Sequence, residues 1–313
     1  MRGLRLAGGS VSTSYWGKLK TNGERRSLSR FEGHAGGLAA LFIVTFIWST
    51  TFPVAKAAFD HLSPAMLTAC RFLISTLLLA NRFTGLTRGE VRLGGVLGAL
   101  QFLCVAAVFH GLRSTGAGRS AFLISLSVFM VPLANLARGR KVRPVHLLAA
   151  AIALAGVSLL TGAGSGGGGF TTGDAWIVFS AVMFAAYMLI LEAAGPQESP
   201  LRVSAFQLLV VAALAFVWLF LDGAPSDFVA ALKPVWISVV YLAVCAIFST
   251  SLQGWGQRYV SAQESALIFI LEPVLVTVWS YWFLGEKLPA GAIPGAALIL
   301  GANLWSQIAR GRG

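Results

Sequence analysis

Apolar residues run through the chain in ten long blocks separated by short polar stretches. The blocks cover roughly residues 36–57, 63–81, 93–111, 117–136, 144–161, 174–192, 202–221, 234–255, 263–282 and 291–309. A bilayer-spanning helix needs about 20 mostly apolar residues, so each block is read as one spanning helix. The pattern predicts an all-α integral membrane fold with ten transmembrane helices. Only residues 1–34 form a long polar segment. The stretch from Thr161 to Gly169 is glycine-rich and separates the fifth block from the sixth. It has no following Lys-Ser/Thr and no preceding strand, which argues against a phosphate-cradling loop and for a flexible linker.

The two sets of five blocks match each other. At a shift of 145 residues, Gly111 meets Gly256, Arg113 meets Arg258, and Ala117 meets Ala262. The pairs Ser120 with Ser265, Pro144 with Pro289, and Gly156 with Gly301 follow without a gap. Upstream the shift is 136, where Ser63 and Pro64 meet Ser199 and Pro200. Five is an odd number of crossings, so tandem repeats of five have opposite membrane topology. Inverted repeats of this kind are a transporter architecture with the solute site near the midplane between the halves. The expected units are a basic, flexible leader at 1–34, a first repeat at 35–161, a linker at 162–173 and a second repeat at 174–310.

Composition strengthens the membrane reading. The chain is 56% hydrophobic and 12% charged, with a mean hydropathy of +0.75. A soluble domain carries about 25% charged residues. The net charge of +12 would suit a nucleic-acid binder, but the basic residues lie in the leader and between the apolar blocks. There they set orientation. Eighteen fall on the side of the leader and five on the other, which places both termini in the cytoplasm. The leader is also Arg- and Ser-rich and poor in acids, which permits a targeting segment. Cys70, Cys104 and Cys245 each lie inside an apolar block and form no CxxC pair, so they read as small buried residues.

Ionisable residues in a bilayer core are costly and are expected to face an interior cavity. Arg71 and Glu272 fall near the middle of the second and ninth blocks and are the leading candidates. In the first block Ser49, Pro53 and Lys56 share a face. Pro53 frees a carbonyl that the hydroxyls of Ser49, Thr50 or Thr51 are expected to satisfy. Ser249, Gln253 and Gln257 make a polar stripe that suits a cavity wall or an interhelical hydrogen-bond seam. Gln207 occupies the position equivalent to Arg71 and is expected to face the same cavity. Trp48, Tyr187 and Trp279 are candidates for an aromatic lining, with packing or an interface belt as the alternative. Gln101 and His110 are nine residues apart, so they are not expected to face one narrow site together.

Several runs resemble the EamA-type members of the drug/metabolite transporter superfamily. They are Trp48 to Lys56 (WSTTFPVAK), Arg71 with Phe72, Ala121 to Leu133, Glu272 with Pro273, Leu284 to Leu288 (LGEKL) and Gly295 to Gly301. The first half reads Ala137 to Lys141 (ARGRK) where the family commonly has Leu-Gly-Glu-Arg, so the acidic residue at Glu286 has no counterpart there. The resemblance implies ten helices, cytoplasmic termini and a central cavity, and leaves the solute open. The expected function is secondary export of small, amino-acid-like metabolites by alternating access. The alternatives are a non-transporting sensor or scaffold and an intramembrane enzyme, for which the chain lacks a Ser/His pair, paired Asp residues and HExxH. The expected setting is a bacterial plasma membrane. The expected partners are a small-molecule substrate, the lipid bilayer and a coupling proton or other ion, with no nucleic acid, metal or cofactor.

Overall fold

The computed structural model describes residues 12–112, 117–161, 170–194, 199–223, 227–284 and 290–310. All regular structure among the described residues is helical. The first part of the chain forms α1 (Ser12–Ala58), α2 (Pro64–Leu78), α3 (Arg88–Leu112), α4 (Ala117–Ser125), α5 (Ser127–Ala137) and α6 (Pro144–Thr161). The second forms α7 (Thr172–Ala194), α8 (Pro200–Asp222), α9 (Phe228–Leu232), α10 (Trp236–Gly256), α11 (Ala262–Phe269), α12 (Glu272–Leu284) and α13 (Ala292–Arg310). Among the described residues six stretches are long and apolar enough to cross a membrane: Glu32–Ala55, Arg88–Gly111, Thr172–Ala194, Pro200–Asp222, Trp236–Gly256 and Ala262–Trp279. Four shorter apolar helices accompany them, at Pro64–Leu78, Phe122–Ala137, Pro144–Leu160 and Ala292–Ser306. The chain is an integral membrane protein.

Local sequence explains the helix starts. Ser63 caps α2 by accepting a hydrogen bond from Met66 N at 3.2 Å, with Pro64 in the first turn where its missing N–H costs nothing. The equivalent Ser199 and Pro200 start α8. A capping box of Ser261 and Glu264 starts α11.

The helices depart from the sequence expectation in two ways. First, α1 begins at Ser12, so the leader is helical from that residue on. No proline stands before Pro53 to interrupt it. At 1.5 Å per residue α1 is about 70 Å long, more than twice a bilayer core. Second, the fourth and ninth blocks are each broken. The breaks fall at Leu126 and at Ile270–Leu271, which are equivalent at the 145-residue shift. In both, the chain tightens to i→i−3 bonds: Leu126 N to Leu123 O (3.2 Å) and Phe129 N to Leu126 O (2.9 Å), matched by Leu271 N to Ile268 O (3.0 Å) and Val274 N to Leu271 O (3.1 Å). In the second break Pro273 cannot donate to a preceding carbonyl, and it sits in the first turn of the restarted helix. The glycine-rich stretch 162–169 and residues 285–289 lie outside the described residues.

Packing pairs helices from the two parts of the chain. α1 runs against α10, α2 against α8, α3 against α7 and α8, and α6 against α13. Small residues set the closest approach. A Cβ added at Gly98 in α3 would lie 2.7 Å from the Gln207 carbonyl in α8. One added at Gly156 in α6 would lie 2.7 Å from the Gly295 carbonyl in α13. Every residue of α11 except Gln263 is buried, whereas Tyr281 and Trp282 of α12 and Leu133 of α5 are exposed and apolar, as a lipid-facing surface requires.

Candidate functional site

A cavity of about 220 Å³ lies between α1, α2, α3, α4, α7, α10 and α12. It falls just below the roughly 300–1,000 Å³ of drug-sized ligand sites, which suits a small solute. Of the residues singled out from sequence, Trp48, Arg71, Tyr187, Gln253 and Glu272 line it.

Arg71 reaches it from α2, with its guanidinium 4.6 Å from the ring centroid of Phe72 and 5.6 Å from that of Phe109. Desolvated cation–π contacts of this kind are worth about 2 kcal/mol. Its Nε is buried and finds no hydrogen-bond partner among the described residues. Glu272 enters at the first residue of α12, and no hydrogen bond from the described residues reaches its carboxylate. No salt bridge joins the two. An ionisable base and an ionisable acid therefore line one small cavity with no ion pair between them.

The aromatic side of the cavity is built by Trp48, whose ring lies 5.6 Å from Phe184 and 5.0 Å from Phe269. Tyr187 stacks nearly parallel to Phe184 at 6.2 Å. Gln253 donates to Gln257 at 3.0 Å, and Gln257 donates to the Met188 carbonyl at 3.3 Å. The upper part of the α10 stripe, Ser249 and Gln253, thus lines the cavity, while Gln257 ties α10 to α7.

Three candidates sit elsewhere. Gln207 is not on the cavity wall; it stands behind Tyr187, donating to its hydroxyl at 3.0 Å and to Gln101 Oε1 at 2.8 Å. Trp279 donates to Ser49 Oγ at 2.9 Å and so pins α12 to α1 outside the lining. The Lys56 side chain lies outside the described residues. The hydroxyls of Ser49, Thr50 and Thr51 bond the carbonyls of Phe46, Ile47 and Trp48, each at 2.7 Å, rather than the Ser49 carbonyl that Pro53 frees. The i−3 reach of a helical hydroxyl falls short of that atom. Gln101 lines the cavity, whereas His110 is exposed, its ring 5.2 Å from Trp176. His/Cys/Asp/Glu clusters able to hold a metal are absent among the described residues.

Sequence reasoning passed over Cys104, Cys245 and Phe184, all of which line the cavity. A signal for two of them was present. At the 145-residue shift Cys104 is equivalent to Ser249, Gln101 to Ala246, and Val108 to Gln253, and all six line the cavity. At the 136-residue shift Trp48 is equivalent to Phe184 and Thr51 to Tyr187, again with all four on the wall.

A bundle of apolar helices around a small cavity with unpaired charges is the build of a membrane transporter. The chain belongs to the EamA-like transporter family, whose profile it matches twice, at residues 35–162 and 171–306. It is 27% identical over 286 residues to an uncharacterized transporter of Archaeoglobus fulgidus, covering 88% of each chain. It is also 27% identical over 285 residues to a Streptantibioticus cattleyicolor protein named "Probable terminal-alkyne amino-acid exporter", covering 87% of this chain and 94% of that one. A solved crystal structure shares the fold, with a TM-score of 0.73 at 21% identity, covering 89% of this chain and 99% of its own.

Proposed function

We propose that the protein is a secondary transporter that exports amino-acid-like solutes across a bacterial plasma membrane, with both termini in the cytoplasm and all ten apolar segments spanning the bilayer. The observation that carries this reading is the pair of charges, Arg71 and Glu272, on one cavity wall with no ion pair between them. A zwitterion supplies what each lacks: its carboxylate pairs with Arg71 and its ammonium with Glu272. The aromatic cluster around Trp48 and the amide of Gln253 then bound the solute's side chain. The amino-acid exporter name of the Streptantibioticus relative agrees with this solute class.

Alternating access is supported by the equivalent breaks at Leu126 and Ile270–Leu271. Short 3₁₀ stretches inside a helix often mark hinges, and discontinuous helices in both halves flank the site in inverted-repeat transporters. The test is flux in proteoliposomes with a panel of labelled amino acids. At least one should be carried saturably. Hydrogen bonds to charged groups are worth about 1.5–3 kcal/mol, so Arg71→Gln and Glu272→Gln should each weaken apparent affinity by at least about tenfold in protein that still inserts. Near-normal flux in both variants at matched expression refutes the charge pair as the site. Absence of flux for every amino acid in the wild type refutes the solute class.

A further inference from the structure

Beyond the large cavity lies a second, much smaller pocket of about 20 Å³. The two are arranged in series along the bundle. The large cavity takes Val105 and Val108 from the latter half of α3 and Leu242 and Cys245 from the first half of α10. The small pocket takes Leu93 and Leu97 from the start of α3, Ser204 from the start of α8, Gly254 from the end of α10 and Arg258 from just beyond it. It therefore sits nearer the membrane face that carries Arg88, Arg92, Arg202 and Arg258. Among the described residues Tyr187 alone lines both spaces.

The partition is a hydrogen-bonded plug. Tyr187 is 3% exposed and Gln207 is 1% exposed. The Gln207 amide donates to the Tyr187 hydroxyl from α8 while also holding Gln101 on α3, so three helices meet in one buried polar node. The backbone behind Tyr187 is held by Gln257 on the Met188 carbonyl. Tyr187 thus stands where the two spaces meet, its hydroxyl held by Gln207. The small pocket is large enough for one water, which needs about 10–15 Å³ and several polar partners. Tyr187, Gln207, Thr250 and Arg258 provide them. A polar solute leaving the cavity on this side meets groups that begin to replace its contacts as the tyrosine swings away.

We propose that Tyr187 is the gate at the closed end of the solute cavity, that Gln207 is the positioning residue that latches it shut, and that the route continues through the small pocket past Thr250 and Arg258. The proposal rests on the transporter reading but not on the solute class. Its test uses accessibility, measured with no solute present, so an absence of amino-acid flux leaves it decidable. The full chain with Cys70→Ala and Cys245→Ala keeps Cys104, on the cavity wall, as its one thiol. A membrane-impermeant methanethiosulfonate is applied to right-side-out and inverted vesicles, and the rate of Cys104 labelling is followed. Tyr187→Phe removes the hydroxyl and keeps the ring; Gln207→Leu removes the latch and keeps the volume. Labelling should rise about fivefold, the equivalent of one hydrogen bond of ~1 kcal/mol, from one face only. A rise confined to the face that carries Arg88, Arg92 and Arg202, in either folded variant, supports the gate. Unchanged labelling in both variants, or a rise from the opposite face or from both, overturns it.

Discussion

Gly156 and Gly301 are equivalent at the 145-residue shift and lie in helices, α6 and α13, that pack on each other, yet the structure gives them opposite tolerance. A Cβ at Gly156 would stand 2.7 Å from the Gly295 carbonyl and 2.9 Å from Ile299, inside the 3.4 Å at which ordinary contact begins. To admit it, α13 must back away, and backbone carbonyls cannot turn aside as a flexible side chain can. Overpacking of this kind costs about 1–3 kcal/mol. At Gly301 an added Cβ meets nothing within 4 Å, so Gly301→Ala brings only the helix-propensity gain of up to about 1 kcal/mol. A stability change of 1 kcal/mol shifts the midpoint of a 150–250-residue domain by roughly 2–4 °C, and of a longer chain by somewhat less. Gly156→Ala is therefore expected to lower the thermal midpoint in detergent by several degrees while Gly301→Ala leaves it level or slightly raised. The assay is thermal unfolding followed by a thiol-reactive dye that reports exposure of buried Cys70. If Gly156→Ala melts no lower than Gly301→Ala, the close α6–α13 contact is not what holds this end of the bundle together.

The remaining expectations concern the loop faces. Glu90 is 1% exposed, pairs with Arg202 at 2.9 Å, and accepts from Thr87 N at 2.9 Å and Ser199 N at 3.2 Å; Glu90→Ala removes the one acceptor that these part-buried donors share, at about 1–3 kcal/mol. Arg202 is 38% exposed, so Arg202→Gln should cost less than about 1 kcal/mol, and a reversed order of the two midpoints refutes this assignment. In the proposed orientation Ser12→Cys should stay unlabelled by an impermeant thiol reagent applied to intact cells, and external labelling refutes that orientation.

The helices were legible because the bilayer demands long apolar runs, and short Ser-Pro signals at residues 63–64 and 199–200 marked two starts. The breaks at Leu126 and Ile270–Leu271 were not legible as breaks. Hydropathy is blind to a local change from i→i−4 to i→i−3 bonding, and only Pro273 hinted at one of the two. Five of the eight candidate site residues line the cavity. The misplacement of Gln207 has a plain cause: equivalence to Arg71 fixes a backbone position, but a glutamine is shorter than an arginine and here is intercepted by Tyr187 and Gln101. Trp279 was expected in the aromatic lining, an expectation that took no account of the ring's need for a hydrogen-bond acceptor, which Ser49 supplies.

The near-equivalence of the two halves sharpens what their differences do. The wall of the cavity is shared almost evenly: Trp48 answers Phe184, Cys104 answers Ser249, and Val108 answers Gln253. The charges are not shared. Arg71 in the first half stands against the neutral Gln207 in the second, and Glu272 in the second stands against the neutral Ser127 in the first. Each half therefore brings one charge, of opposite sign, to a cavity formed between them. Under the proposed function a solute carrying both charges would bridge the halves, whereas a solute with one charge would be held by a single half and leave the other charge unpaired in a desolvated setting, which is costly. On the proposed mechanism this asymmetry is the source of selectivity. The repeated scaffold supplies two interchangeable walls that can move, and the pair of unrepeated charges decides which solute draws them together.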